Sequence, residues 1–272
     1  MKLAWLTDIH LNFLDTDERK KFYQEIVKTG CDGVLISGDI AEAPNVKDIL
    51  QELANFIKRP IYFVLGNHDY YRGQVNTVRT EMTELTKANE YLFWLHVSGP
   101  MPLDNNALLV GQDGWADGRL GDYYARRIAL NDSRMITDLF QEKILGRSQL
   151  LAKMQQLADD DADQLRVQLL DAVKKHPTKI IVLTHIPPFK EVCSHDGQIS
   201  RDDWLPYFAS KATGDVLNDI CIAYPDIHFL VLCGHTHDKA QYSPLPNLLV
   251  EAGHAEYHKP QIQKVITLNL SE

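Results

Sequence analysis

The N-terminal third of the chain repeats one pattern three times: a short apolar segment, a few polar residues, and an amphipathic helix. The apolar segments 2–6, 33–37 and 61–65 predict buried strands. Residues 17–29 and 45–58 carry apolar side chains at helical spacing and predict the helices between them. Alternating strands and helices favour a parallel sheet with crossover helices, and therefore an α/β architecture.

Each of these strands runs into side chains that can ligate metal ions. Asp8 and His10 follow the first strand, Asp39 follows the second, and Asn67 follows the third. Because open α/β sheets bind ligands at the carboxyl ends of their strands, we expect these side chains to meet at one edge. Asp8 and His10 are expected to share one side of an extended backbone, since side chains alternate there with a period of two.

Two later strands, predicted at 179–184 and 227–233, end in the same way. His185 follows the first, and the second runs into Gly-His-Thr-His, which contains His235 and His237. All the strand-end donors are oxygen or imidazole nitrogen, which favours Mn, Fe, Zn or Ni over Mg or Ca. They are too many for one tetrahedral ion, but two ions can share them if one carboxylate bridges. The alternative is an ordinary core or loop histidine at every position.

The remaining strands are expected to build a second sheet. Segments 92–97 and 107–111 are close together, which favours antiparallel pairing. Segments 247–251 and 261–268 are predicted to close that sheet. With no linker, repeat or low-complexity tract between these elements, residues 1–272 are predicted to form one domain.

The middle of the chain is less regular. Residues 112–131 form an aromatic and basic loop that includes Arg119 and Arg126. Beside a phosphate site such a loop is expected to act as a substrate lid; the alternative is a solvated connection whose aromatics pack on the body. Residues 133–175 are helical in tendency and are interpreted as a helical insert. The acidic run at 159–163 is expected to break it.

The composition of the chain limits the classes of partner that the protein is expected to bind. The net charge of −9 disfavours extended contact with nucleic acid, although it does not exclude it. No apolar stretch approaches the roughly 20 residues of a membrane span, so no membrane partner is expected. The N-terminal apolar run is too short for a signal peptide. Four cysteines without CxxC spacing are interpreted as reduced thiols of a cytoplasmic protein.

Five motifs together resemble one known family. Asp-x-His at 8–10, Gly-Asp at 38–39, Gly-Asn-His-Asp at 66–69, Thr-His at 184–185 and Gly-His-Thr-His at 234–237 occur in the order found in the calcineurin-like metallophosphoesterase superfamily. The resemblance implies a fold of two mixed β-sheets packed as a sandwich and flanked by helices. It also implies two divalent or trivalent transition-metal ions and hydrolysis of a phosphate ester by in-line attack of a bridging hydroxide.

The resemblance assigns a role to each matching position. The first ion would be held by Asp8, His10, Asp39 and His237, and the second by Asn67, His185, His235 and the bridging Asp39. His68 would be a catalytic histidine that faces the substrate, and Asp69 would orient it and raise its pKa. Asp-x-His followed by Gly-Asn-His-Asp looks more like the bacterial phosphodiesterase branch, so small phosphodiesters are the expected substrates.

Two other functions stay open from the sequence. A nuclease of the same superfamily would require a basic groove, and a non-catalytic scaffold would be expected to lose metal ligands. Four further residues are interpreted as substrate contacts, against the alternative of ordinary surface or loop positions: Asn12, Arg119, Arg126 and His254.

Overall fold

The fold is that of a computed structural model, which describes residues 1–104, 106–125, 128 and 130–268. In chain order the strands are β1 (Lys2–Leu6), β2 (Gly33–Ser37), β3 (Ile61–Val64), β4 (Leu92–Trp94), β5 (Met101–Pro102), β6 (Ala107–Gly111), β7 (Lys179–Leu183), β8 (Ser194–His195), β9 (Gln198–Ile199), β10 (His228–Cys233), β11 (Ala240–Leu245), β12 (Leu248–Ala252) and β13 (Lys264–Thr267).

The helices are α1 (Thr16–Lys28), α2 (Val46–Ile57), α3 (Val75–Ala88), α4 (Leu95–Ser98), α5 (Asp132–Met135), α6 (Thr137–Leu145), α7 (Arg147–Val173), α8 (Leu205–Phe208) and α9 (Lys211–Ala223). Three short 3₁₀ turns lie at Leu11–Phe13, His68–Tyr70 and Lys190–Val192. Two of them directly follow strand-end loops, so the chain turns away from the sheet as soon as the polar side chains have been placed.

The first sheet has the strand order β13-β1-β2-β3-β4. Strands β1 to β4 are parallel, and β13 pairs antiparallel with β1. The prediction that 261–268 closes the second sheet is therefore wrong, because β13 joins the first. Side chains alternate between its two faces: Leu3 and Trp5 face the other sheet, whereas Ala4 and Leu6 face the outer helices. Parallel pairing brings the carboxyl ends of β1, β2 and β3 to one edge, as the strand and helix pattern predicts.

The second sheet has the order β11-β12-β10-β7-β6-β5. Its four central strands are parallel, and β11 and β5 are antiparallel at the two edges. The inner faces of both sheets share one apolar cluster that includes Leu35, Leu109, Ile181 and Leu232. Helices cover both outer faces. This arrangement confirms the predicted α/β sandwich of two mixed sheets.

The predicted pairing of 92–97 with 107–111 is wrong. The strand β4 ends at Trp94 and lies parallel to β3 in the first sheet, whereas β6 lies parallel to β7 in the second. Between them, α4 turns the chain from one sheet to the other. The two segments are therefore close in sequence but belong to different sheets, and short spacing alone could not distinguish these cases.

The predicted break at the acidic run 159–163 is also wrong, because α7 continues from Arg147 to Val173 without interruption. Asp161 lies on the buried side of this helix, where its Oδ1 accepts from Arg79 Nη2 of α3 at 2.7 Å. One charge of the acidic run is thus neutralised by a tertiary partner that the local sequence does not contain.

All four cysteines are free and buried. Within the part of the chain that the structure describes, no helix is both long and apolar enough to cross a membrane.

Candidate metal centre

Five of the strand-end residues have left-handed backbone conformations. Their φ angles are 49° at Asp8, 40° at His10, 52° at Asp39, 72° at His235 and 62° at His237. The expectation that Asp8 and His10 sit on an extended backbone is therefore wrong. The chain coils as soon as it leaves β1, β2 and β10, and this coiling turns the side chains of these strands toward one another.

Asp8, His10, Asp39 and His237 form a first group, whose ligand atoms lie within 4.8 Å of one another. His10 Nε2 is 3.4 Å from His237 Nε2 and 3.8 Å from Asp39 Oδ2, and His237 Nε2 is 3.4 Å from Asp8 Oδ1. Two imidazole nitrogens and two carboxylates at such separations suit a transition-metal ion.

Asn67, His185 and His235 form a second group. Asn67 Oδ1 is 3.0 Å from both His185 Nε2 and His235 Nδ1. The opposite ring nitrogens face backbone carbonyls, with His185 Nδ1 2.9 Å from the oxygen of Ser37 and His235 Nε2 3.0 Å from the oxygen of Tyr207. Those carbonyls require the proton on the outer nitrogen, which leaves the inner nitrogen as a lone pair.

The amide of Asn67 has an equally fixed orientation. Its Nδ2 donates to Asp132 Oδ1 at 2.8 Å, so Oδ1 is the atom that faces the two histidines. Three lone pairs thus converge with no proton between them. Such an arrangement is repulsive without a cation and is satisfied by one, so the second group fits a metal ion.

Asp39 lies between the two groups. Its Oδ2 faces His10 at 3.8 Å, and its Oδ1 faces His185 at 3.4 Å. Glycines allow this close packing, because a Cβ at Gly66 would collide with the Asp39 carboxylate and a Cβ at Gly234 with that of Asp8. One carboxylate therefore presents an oxygen to each group, which is the geometry that a bridging ligand requires.

Burial favours the neutral form of most histidines at the site, and the neutral imidazole is the form that binds metal. Burial lowers the pKa of His10 to about 2 and the pKa values of His68 and His235 to about 4. His237 differs: burial alone would lower its pKa, but its hydrogen bond with Asp8 raises it above the usual value. Burial and the nearby charges of Asp8 and Asp69 raise the pKa of Asp39 well above its usual range.

The two residues predicted as catalytic lie in different surroundings. His68 is half-buried at the edge of the site, where its ring stacks on Tyr71 at 4.2 Å and its Nε2 is 3.9 Å from Asp39 Oδ2. Asp69 is fully buried and accepts from the backbone amides of Ile40, Ala41 and Gly66 at 2.8–2.9 Å. Asp69 thus ties together the loops that follow β2 and β3, and its role in orienting His68 stays a prediction.

Four residues that the sequence did not single out also contribute. Asp132, from the start of α5, and Tyr71 form a hydrogen-bonded pair beside Asn67, with Tyr71 Oη donating to Asp132 Oδ1 at 2.6 Å. The Tyr257 ring is 4.7 Å from that of His10, and Tyr207 supplies the carbonyl that faces His235. Asp132 lies far from any strand end, so the strand-end pattern could not reveal it.

Three of the residues interpreted as substrate contacts do not line the cavity over the candidate ligands: Asn12, Arg119 and His254. Arg119 forms ion pairs with Asp117 and Asp159 at 3.1 and 2.7 Å, which differs from the expected contact. His254 is exposed, and Asn12 has a buried Oδ1 without a hydrogen-bond partner among the described atoms. Arg126 lies outside the described residues.

A cavity of about 310 Å³ opens over the two groups of side chains. Its lining includes His68, Tyr71, Asp132, Phe208 and Tyr257. In the predicted lid, residues 112–117 are buried in the body of the protein, while Leu130 and Asn131 reach the cavity. Among the described residues of this loop, those that reach the cavity therefore lie at its C-terminal end.

A family model described as calcineurin-like phosphoesterase matches residues 1–239. The chain belongs to the calcineurin-like phosphoesterase family. The match covers all five motifs, and it confirms the family resemblance. As a member of this family, the chain is a metal-dependent hydrolase of phosphoric esters, and the family depends on a dinuclear metal centre.

Solved phosphoesterases share the fold. A dimetal phosphatase from Danio rerio superposes with a TM-score of 0.57 at 12% identity, covering 93% of this chain and 87% of that one. The phosphopantetheinyl hydrolase of Mycobacterium tuberculosis has a TM-score of 0.61 at 13% identity, with 94% and 89% covered. No curated protein matches the chain. At these identities the likeness shows the fold alone.

Proposed function

We propose that this phosphoesterase hydrolyses small phosphodiesters with two transition-metal ions bound at the strand ends. Mn, Fe, Zn and Ni suit the donor set, which consists of imidazole nitrogen and oxygen without thiolate. The observation that carries the proposal is the convergence of the lone pairs of Asn67, His185 and His235 beside a carboxylate, Asp39, that presents one oxygen to each group. Bound there, the ions would supply Lewis acidity toward the phosphoryl group and hydroxide at neutral pH.

The residues around the ions would bind and orient the ester. Asp8, His10, Asp39 and His237 would hold the first ion, and Asn67, His185, His235 and Asp39 the second. His68, half-buried at the mouth of the site, would donate a hydrogen bond to a phosphoryl oxygen as charge develops there. Asp132 and Tyr71 would hold the Asn67 amide in its ligating orientation.

The charge of the cavity wall supports a diester over a monoester. Among the described residues, its lining has no lysine or arginine, and it contains the carboxylate of Asp132. A phosphodiester carries one negative charge, whereas a monoester at neutral pH carries nearly two and gains more from a cationic side chain. Among the described lining residues, the same lack of basic side chains favours a small ester over a nucleic-acid strand.

We also propose that the protein works in the cytoplasm. Four free, buried thiols support a reducing compartment.

The test combines metal analysis with matched esters. After Mn²⁺ supplementation we expect two ions per chain and a higher kcat/KM for bis-p-nitrophenyl phosphate than for p-nitrophenyl phosphate. Asp48, an exposed residue of α2, provides the control: Asp48→Asn should match the wild type, whereas Asp39→Asn should lose metal and activity. A preference for the monoester would contradict the proposed diester substrate. The absence of both bound metal and hydrolysis would contradict the proposed two-metal hydrolysis.

A further inference from the structure

A second cavity of about 630 Å³ adjoins the metal cavity. The two share His195 and Phe208, so a molecule can extend from one into the other. We call this second cavity the side cleft, and define it by His195, Ile199, Ser200, Arg201, Trp204 and Phe208. It lies beside the second group of metal ligands and is not used by the mechanism above.

Aromatic rings lead from the metal ligands into the side cleft. The Phe208 ring meets that of His235 edge-on, with centroids 5.5 Å apart and an interplanar angle of 81°. The Trp204 ring then stacks on Phe208 at 5.5 Å and 27°. Both aromatic side chains are half-buried, so part of their surface remains free for contact. A planar group can stack on such a surface.

The polar groups of the side cleft indicate a neutral ligand. The arginine of its lining already faces a carboxylate, because Arg201 Nη2 is 2.9 Å from Asp203 Oδ2. The lining also contains the carboxylate of Asp196, so its charges do not favour a second phosphate. In contrast, Ser200 is 8% exposed, and its buried Oγ has no hydrogen-bond partner among the described atoms. A buried hydroxyl of this kind costs free energy unless a partner arrives.

The wall of the side cleft is fixed to the metal site. The hairpin formed by β8 and β9 carries His195 and Ile199. Ser194 Oγ and the Gly197 amide both donate to Asp238 Oδ2, at 3.3 and 3.1 Å. Asp238 directly follows the candidate ligand His237. The loop that places one metal ligand therefore also positions the cleft.

We propose that the side cleft binds a planar, neutral, hydrogen-bonding ring of the nucleobase type, carried by the alcohol of the phosphate ester. The ring would stack on Trp204 and accept from or donate to Ser200 Oγ, with its sugar lying against Phe208. The substrates are then nucleoside phosphoesters. This inference rests on the proposed function, because it assigns the arm of the ester whose phosphorus lies at the metal centre.

The test uses two esters that differ only in the base: adenosine 5′-(methyl phosphate) and ribose 5-(methyl phosphate). Both contain the same phosphodiester bonds, so a difference in kcat/KM reports the ring. We expect the adenosine ester to be favoured about 5- to 150-fold, the factor that corresponds to ~1–3 kcal/mol for stacking one base. Equal kcat/KM values in the wild type would overturn the proposal.

Single substitutions identify the side chains that cause the preference for the adenosine ester. Trp204→Ala should bring the ratio of the two kcat/KM values close to one, and Trp204→Phe should restore part of the preference for the adenosine ester. Phe56→Ala removes another partly exposed aromatic, on α2, and should leave the ratio unchanged. Ser200→Ala should lower kcat/KM for the adenosine ester but not for 2-phenylethyl methyl phosphate. This contrast distinguishes a nucleobase from a plain aromatic ring. A wild-type ratio in Trp204→Ala would place the discrimination elsewhere and refute the side cleft.

A binding measurement distinguishes failure of the side-cleft proposal from failure of the proposed hydrolysis. Adenosine should quench tryptophan fluorescence saturably in the wild type, and Trp204→Ala should abolish this quenching. If no ester is hydrolysed but the quenching persists, the proposed hydrolysis fails and the side cleft stands. If both esters are hydrolysed equally and adenosine causes no quenching, the side cleft fails and the hydrolysis stands.

Discussion

At the scale of single residues, the metal centre depends on backbone conformations that most side chains avoid. Asp8, His10, Asp39, His235 and His237 all have positive φ. Aspartate and histidine tolerate this region better than bulky or β-branched residues do, but each such conformation still costs free energy. The surrounding sheets must hold these residues in place, so the site is preorganised by the fold.

The first prediction concerns His68. In the proposed site it donates a hydrogen bond to the reacting phosphoryl group and binds no metal, so His68→Ala should retain both ions. Loss of one hydrogen-bond donor to the charge that develops on the phosphoryl group lowers kcat by a factor of about 10²–10³. Metal content and steady-state kinetics would be measured together. His228→Ala, at the opposite end of β10, is the control and should keep wild-type turnover. Loss of an ion from His68→Ala would show that His68 is a ligand.

The second prediction concerns Asp39 in the metal-free protein. Burial and the charges of Asp8 and Asp69 raise the pKa of this carboxyl, so the folded state binds a proton more tightly than the unfolded state does. This raised pKa therefore destabilises the metal-free fold once the pH exceeds the unfolded pKa, and the cost grows as the pH rises toward the folded pKa.

Asp39→Asn keeps the oxygen that accepts from the His68 amide at 2.9 Å and removes the charge. We expect the metal-free variant to unfold at a higher urea concentration than the metal-free wild type, while Mn²⁺ stabilises only the wild type. A lower urea midpoint for the metal-free variant would contradict the inference that the Asp39 carboxyl destabilises the metal-free fold.

At the scale of elements, helix α7 is anchored by one buried ion pair. Asp161 bonds Arg79 of α3 at 2.7 Å and also accepts from the amide of Gly114 at 3.0 Å. The side chains of Asp161 and Arg79 are only 1% and 16% exposed. The pair thus joins α7 to the helix and the loop that flank the first sheet.

Asp161→Ala should therefore destabilise the protein by about 3 kcal/mol, because it leaves the buried Arg79 guanidinium with the Tyr70 hydroxyl and the more distant Asp113 carboxylate. The neighbouring Asp160 is exposed on the same helix, and Asp160→Ala should change stability by less than about 0.5 kcal/mol. Urea unfolding of both variants would measure the difference. Equal effects of the two substitutions would rule out the ion pair as the anchor.

Elements also show where sequence reasoning succeeds. Apolar runs followed by Asp, His or Asn identify β1, β2, β3, β7 and β10, since parallel buried strands combine continuous apolar character with ligands at their carboxyl ends. The pattern fails at β4 and β6, because local spacing cannot tell which sheet a strand joins. It fails at 159–163 because the partner of Asp161 is distant in sequence.

At the scale of the whole molecule, the sequence predicts more of the candidate metal site than of the structure around it. The strand ends and the family motifs predict both groups of candidate metal ligands, and the structure brings the members of each group together. The hydrogen bonds of Asp69, the position of Asp132 and the side cleft depend on how separate loops pack, and no sequence period encodes that packing. Asp132 is the clearest case: it reaches Asn67 across 65 positions of chain.

The buried thiols give a prediction for the molecule as a whole. Burial raises the pKa of Cys221 to about 12 and that of Cys193 further. The unfolded chain loses these protons near pH 8.5, so above that pH the folded state binds more protons than the unfolded state. Stability then falls as pH rises, by about 1.4 kcal/mol per pH unit for each thiol.

Urea unfolding in a reducing buffer at pH 8 and pH 9.5 would measure this slope. Cys221→Ala should show a shallower slope than the wild type, although its stability at pH 7 is expected to be slightly lower. Identical slopes in the two proteins would show that this thiol does not contribute.

The position of Asp69 has a consequence for how the protein opens. Its carboxylate holds the amides of Ile40, Ala41 and Gly66, which lie in two different loops. Loop amides ordinarily exchange their hydrogens with solvent quickly, whereas these three must wait until both loops release together. Hydrogen exchange should therefore group them with the strands, as one unit that opens cooperatively. An ion held between those loops could leave by the same rare opening, at a rate set by a side chain that never touches it.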